Sequence, residues 1–234
     1  NNNNNNNNSS DNNNKDTTSI WDASLHAMSQ WAPLLKDGNI RNVVILNGFY
    51  WTTIAGAQLT LLPLILTSPD YGWHMSATDV GQVYMGMSLV QVLGNPLAAK
   101  ALEQHKVAGI LAGCTLLSSS ILALPYCCCG DDGGSPMLLL PLVLGTWSIG
   151  STLLGTAPVA YVSDVTEPNH RAQAIAVLRT AGDVGFLVGA SSVGTLLSLL
   201  GGGDNDYCVA LQSNAIVLGV ATLWFGRRML PLRF

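Results

Sequence analysis

Charge is what this chain has least of. It carries 10 basic and 14 acidic residues among 234, about a tenth of the chain, where a soluble domain averages roughly a quarter. The few cations and a formal net charge of −4 leave no basic surface for a phosphate backbone, which argues against nucleic acid as a partner. No Gly-Lys pair occurs anywhere, so a phosphate-cradling Walker loop is excluded. The five cysteines and four histidines lack metal-ligand spacing, and neither a metal nor a cofactor is expected. Gly189-Ala190-Ser191-Ser192 only approaches the Gly-X-Ser-Gly of an intramembrane serine protease, and no histidine lies in an apolar run to act as its base. A water channel wants two Asn-Pro-Ala turns, and Asn95-Pro96-Leu97 is one imperfect copy. No enzyme reading survives these absences.

What is present is a set of long uncharged runs. A helix that spans a bilayer needs roughly 20 mostly apolar residues. Six stretches qualify, at about 42–66, 80–99, 107–126, 137–162, 172–200 and 207–226. Five hold no charged residue, and the fifth in order holds Arg179 and Asp183. The expected fold class is all-α integral membrane, with six transmembrane helices in one bundle over 38–230 and a short tail at 231–234.

The cations set the orientation, because loops retained on the cytoplasmic side keep Lys and Arg. Arg41 to Lys100, Lys106 to Arg171 and Arg179 to Arg227 are three gaps without a basic residue, each long enough for two spans or most of two. Lys15, Lys36, Arg41, Lys100, Lys106, Arg171, Arg227, Arg228 and Arg233 thereby fall on one face. The opposite loops carry Asp70, Asp79, Asp131, Asp132, Asp204 and Asp206. Both ends of the sequence are expected in the cytoplasm. Tyr71, Trp73, Tyr126 and Tyr207 suit the outer headgroup layer, and Tyr161 and Trp224 the inner one.

Before the bundle, residues 1–18 read as a disordered segment, since eleven of the first fourteen are Asn. Over 19–37, Trp21, Leu25, Met28 and Leu35 recur at helical spacing behind a Ser19/Asp22 capping pattern. An interfacial amphipathic helix explains this, and so does a short irregular linker. Cys127, Cys128 and Cys129 lie at the outer end of the third run and Cys208 in the last outer loop, where a disulfide or free thiols in small-residue packing are both open.

The polar residues inside the runs are the functional candidates. An ionisable side chain in hydrocarbon costs several kcal/mol, so Arg179 and Asp183 require partners or water. They are four residues apart on one helix face and can pair. At 1.5 Å per residue from Ala172, Asp183 sits roughly 16 Å into a core of about 30 Å, the depth at which transporters place substrate and coupling-ion sites. Proton or substrate coupling through Asp183, with Arg179 tuning it, is one reading; a structural ion pair is the other. Asn47, Trp51, Ile54 and Gln58 share a face of the first run, and Tyr84, Ser88, Gln91 and Asn95 share a face of the second. Such faces line an aqueous path or bond helix to helix. Glycines Gly109 and Gly113, Gly145, Gly150 and Gly155, and Gly185 and Gly189 point to close helix packing.

These residues together resemble the major facilitator superfamily of secondary transporters, and within it one six-helix half. Tyr161 to Gly194 is similar to that family's penultimate-helix region through Asp164, Pro168, Arg171, Arg179, Thr180, Ala181, Gly182, Asp183, Gly185 and Gly189. Gly48 to Pro63, followed by Ser76 to Pro96, looks like the first hairpin of the second half, and the likeness extends over about Trp31 to Arg228. The loop after the second helix departs from the pattern. Where the family usually reads Gly, three residues, Asp, Arg, then a Gly and basic pair, this chain has Ala99, Glu103, Gln104 and Lys106. The proline that often follows the packing glycine is Ala190. The resemblance implies an alternating-access carrier for a small molecule, with Glu103, Asp164 and Arg171 as cytoplasmic-loop or gating residues and Gly182 at a packing position. It also implies a second six-helix half, upstream in a longer protein or on a second chain. A structural or channel-type subunit without alternating access is the competing expectation.

Overall fold

In a computed structural model, residues 29, 31–68, 74–128, 136–201 and 204–230 are described. The Asn-rich stretch, most of the expected interfacial helix before Trp31 and the tail 231–234 lie outside them. What remains of that interfacial segment is one short helix, α1 (Trp31–Lys36). Six long helical rods follow: α2 (Gly38–Thr67), α3 (Ala77–Leu102), α4 (Lys106–Cys128), α5 (Pro136–Val165), α6 (Arg171–Leu200) and α7 (Asp204–Met229). They occupy the six runs with ends a few residues longer, because caps extend helices past the apolar stretch. The Asp37 carboxylate accepts the Asn39 N–H at 2.8 Å to start α2. Ser76 and Asp79 close a reciprocal capping box at the start of α3. Gly201, at φ 101°, ends α6 in the left-handed region that glycine adopts without strain.

Five of the six rods, all but α3, have the length and apolarity of a membrane span. α3 is as long, at 26 residues, but Asp79, Gln82, Gln91 and Asn95 lower its hydropathy.

The bundle is organised around α2 and α5. α2 packs on α6, α7 and α5, while α5 packs on α4, α3 and α6. Leu61, Leu62, Ile65 and Leu66 of α2 and Trp147 and Leu154 of α5 lie in the core, with Ile110, Leu117, Ile121 and Leu124 of α4 beside them. Burial is uneven. In the most apolar window of α2, 56% is buried, against 17% for α6. α6 is thus an outer helix of this bundle, attached along one narrow stripe.

That stripe is made of glycine. A methyl placed on Gly185 would meet the Gly48 carbonyl, and one on Gly189 the Thr52 carbonyl. On Gly182 it would lie 2.7 Å from Trp51 Cδ1. The helices touch backbone to backbone, which hydrocarbon favours because lipid supplies no hydrophobic drive between helices. The α4–α5 crossing uses Gly113 and Gly150 in the same way, and Gly109 lies under the Leu102 side chain. Gly145 and Gly155 depart from the close-packing expectation. A methyl on either would meet no neighbouring helix within 4 Å, and both open onto clefts.

α2 holds one irregularity that periodicity cannot show. Residues Ile54–Leu61 form a π-helix, followed directly by Leu62–Thr67 in α geometry. Within the wide turn the Leu62 N–H bonds the Ala57 carbonyl, five residues back. The next donor in that register is Pro63, which has no N–H, so the Gln58 carbonyl loses its helical partner. The Tyr84 hydroxyl of α3 donates to that carbonyl instead. Proline in the chain thus produces a free acceptor, and a neighbouring helix satisfies it.

Candidate functional site

Three helices converge on Asp183. α6 presents it 12 residues after Arg171, about 18 Å along the helix at 1.5 Å per residue, and Arg179 lies one turn earlier. α2 contributes Asn47 and Trp51, and α5 contributes Leu154, Gly155 and Val159. Together they bound a cleft of about 380 Å³, within the size range of small-molecule sites. Arg179 and Asp183 both line it, and both are exposed.

The cleft exists because the sequence leaves room on one side and locks the other. Gly182 lets the Trp51 ring lie against α6, and the absence of a side chain at Gly155 leaves the α5 wall recessed. Asn47 Nδ2 donates to the Leu178 carbonyl at 2.8 Å, and Thr52 Oγ1 donates to the Gly185 carbonyl at 3.0 Å. Asn47 is 6% exposed, so its amide is fixed between α2 and α6. These two bonds hold the α2–α6 pair in register on either side of Gly182.

Arg179 and Asp183 do not form the ion pair that their spacing permits. Among the described residues, an ion pair instead joins Lys106, at the start of α4, to Asp164, near the end of α5. The i,i+4 geometry allows contact without enforcing it, and opening onto the cleft gives each charge an alternative in water. Both charges therefore remain available to a third party.

A second cleft, of about 630 Å³, continues from the first. The two share Gly155, Val159 and Arg179, and the second reaches Leu102, Glu103 and Lys106. A continuous groove thus leads from Asp183 to the end of the bundle where the basic loops gather. Glu103 lines its mouth. Asp164 is engaged with Lys106, and Arg171 Nε donates to the Thr166 carbonyl at 3.4 Å, so those two residues brace the α5–α6 turn beside the groove.

The polar stripe on α2 divides between two places. Asn47 and Trp51 line the cleft, whereas Ile54 is buried and Gln58 turns towards α3 and α5. Trp147 Nε1 donates to Gln58 Oε1 at 3.2 Å, so Gln58, Tyr84 and Trp147 form one cross-helix hub. Neither groove cleft is lined by Gln58, Tyr84 or Gln91. The π-turn is the reason for Gln58, since it shifts the phase of every residue after Thr53. Trp147 was not legible as a site residue, because its partner lies 89 positions away and an isolated Trp in an apolar run carries no signal. Of the cysteines near the end of α4, Cys127 is a free buried thiol, and Cys129 lies outside the described residues.

A family model described as Major Facilitator Superfamily matches residues 43–233, most of the chain. Among curated proteins and among solved structures, no match is found.

Proposed function

We propose, from the premise that this chain belongs to the Major Facilitator Superfamily, that it forms a six-span bundle of an alternating-access carrier for a small solute, driven by an ion gradient. Membership makes it a multi-pass membrane protein of a transporter family. α3 serves as the sixth crossing, since it is long enough and its polar side chains find partners, as Tyr84 does on Gln58. Both termini of the described region lie on the basic side, which is the cytoplasmic one. The observation that carries the reading is the Asp183 cleft, a polar recess near mid-helix with a groove to one end.

A site near the midplane that reaches one side is half of an alternating-access cycle. A second bundle, in the same polypeptide or on another chain, closes over the exposed faces of α3 and α6 and rocks against them. Protonation of the Asp183 carboxylate or solute binding beside it shifts the balance between inward- and outward-open forms, because each state binds the proton or solute differently. Glu103 and the Lys106–Asp164 pair stand where the groove meets the cytoplasm and rearrange as it opens and closes. Asp183→Asn in the full-length protein is expected to abolish proton movement coupled to uptake in vesicles. Unchanged gradient-driven uptake in that variant would remove Asp183 from the coupling step.

A further inference from the structure

The charges in the central cleft restrict what the cleft can take. Its lining includes one cation, Arg179, and one anion, Asp183, so it is neutral as a whole. The nearby Lys106 is committed to Asp164, and Glu103 enters only the adjoining cleft. Arg179 and Asp183 lie one turn apart on one face and are not joined to each other among the described residues. A neutral apolar solute would displace water from both charges and satisfy neither. A singly charged solute would pair with one charge and leave the other unmatched in the same lining.

A solute with adjacent positive and negative groups satisfies both at once. The guanidinium fork donates two parallel N–H···O bonds to a carboxylate, and the Asp183 carboxylate accepts from an ammonium. Asn47 adds an acceptor: its Nδ2 is used by the Leu178 carbonyl, which turns Oδ1 away from that bond. The rest of the lining is apolar or aromatic, with Trp51, Leu154, Val159 and Phe186. Resting on the carrier reading above, we propose that this cleft binds a zwitterion of amino-acid type, with its carboxylate on Arg179, its ammonium on Asp183 and an apolar side chain on Trp51 and Phe186.

Three probes separate the charges: phenylalanine, 3-phenylpropionate, which lacks the ammonium, and phenethylamine, which lacks the carboxylate. Titration calorimetry on the full-length protein is expected to show phenylalanine binding at least about tenfold more tightly than either analogue, the size of one well-made charged contact. Arg179→Gln is expected to bring phenylalanine down to the level of phenethylamine, and Asp183→Asn to the level of 3-phenylpropionate. Arg179→Lys, which keeps the charge, retains part of the preference. Equal binding of the three probes by the native protein, or no phenylalanine binding, overturns the zwitterion assignment, and neither result requires a variant to fold. The carrier reading fails separately, if the cleft shows no change of accessible side under a reversed gradient.

Discussion

Single side chains fix this bundle through hydrogen bonds that the membrane makes hard to replace. Asn47 bonds the Leu178 carbonyl from a buried position, and such interhelical bonds are worth about 0.6 kcal/mol on average in a bilayer. Asn47→Ala is expected to lower stability by roughly that amount and to widen the cleft, as read by unfolding in mixed micelles. Asp79 acts in the first turn of α3. Hydrogen bonds from the Ser76 hydroxyl and backbone N–H hold its carboxyl below the usual value of 3.8. A lowered carboxyl stabilises the folded form above its unfolded value and loses that contribution as the pH falls through the folded value. The protection factors of the Ser76 and Asp79 amides, corrected for the intrinsic pH dependence of exchange, are therefore expected to hold steady above about pH 4 and to fall below the depressed value, a transition that Ser76→Ala removes; unchanged protection factors in the native protein would contradict the capping role. Arg179 and Asp183 were legible in the sequence because a charge in an apolar run is costly enough to demand an explanation. Their failure to pair was not legible, since spacing fixes proximity and the surrounding cavity fixes partners.

Elements were more legible than their contacts. Six apolar runs became six rods because length and the absence of charge decide helix formation in lipid. The glycines Gly182, Gly185 and Gly189 meet α2 from one face of α6, while Gly145 and Gly155 have the same composition and meet no neighbouring helix within 4 Å. Small-residue patterns alone do not say what lies opposite. Gly185→Ala is expected to push the Gly48 backbone away and cost about 1–3 kcal/mol, whereas Gly145→Ala is expected to be close to neutral. Equal effects in thermal unfolding would refute the backbone-on-backbone crossing. The π-turn was hidden for a different reason: Pro63 signals a break, but whether the break is a kink or a widened turn depends on Tyr84, which arrives from another helix. Tyr84→Phe is expected to destabilise by leaving the Gln58 carbonyl unpaired. Pro63→Ala restores a donor, so the double variant is expected to recover much of that loss. A strictly additive double variant would show that Tyr84 does not stand in for the missing N–H.

At the scale of the whole molecule, one face is built to be packed and another to be met. α4 and α5 are joined backbone to backbone at Gly113 and Gly150, and α2 threads the centre. α6 keeps its charged side open, and the groove beside it runs from Asp183 to Lys106. The Lys106–Asp164 pair ties α4 to α5 at the groove mouth. With Asp164 at 59% side-chain exposure, it adds no more than about 1 kcal/mol to stability, so its removal in Lys106→Met is expected to change how the groove opens far more than how the bundle folds. On the proposed reading, the Asp183 cleft turns to alternate sides of the membrane. The direct measurement replaces the five native cysteines with serine, introduces Phe186→Cys, and follows labelling by a membrane-impermeant maleimide from each side of vesicles. Reversing the imposed proton gradient is expected to raise the rate from one side as it lowers the rate from the other. Rates that ignore the gradient, or access that never leaves one side, would contradict the carrier.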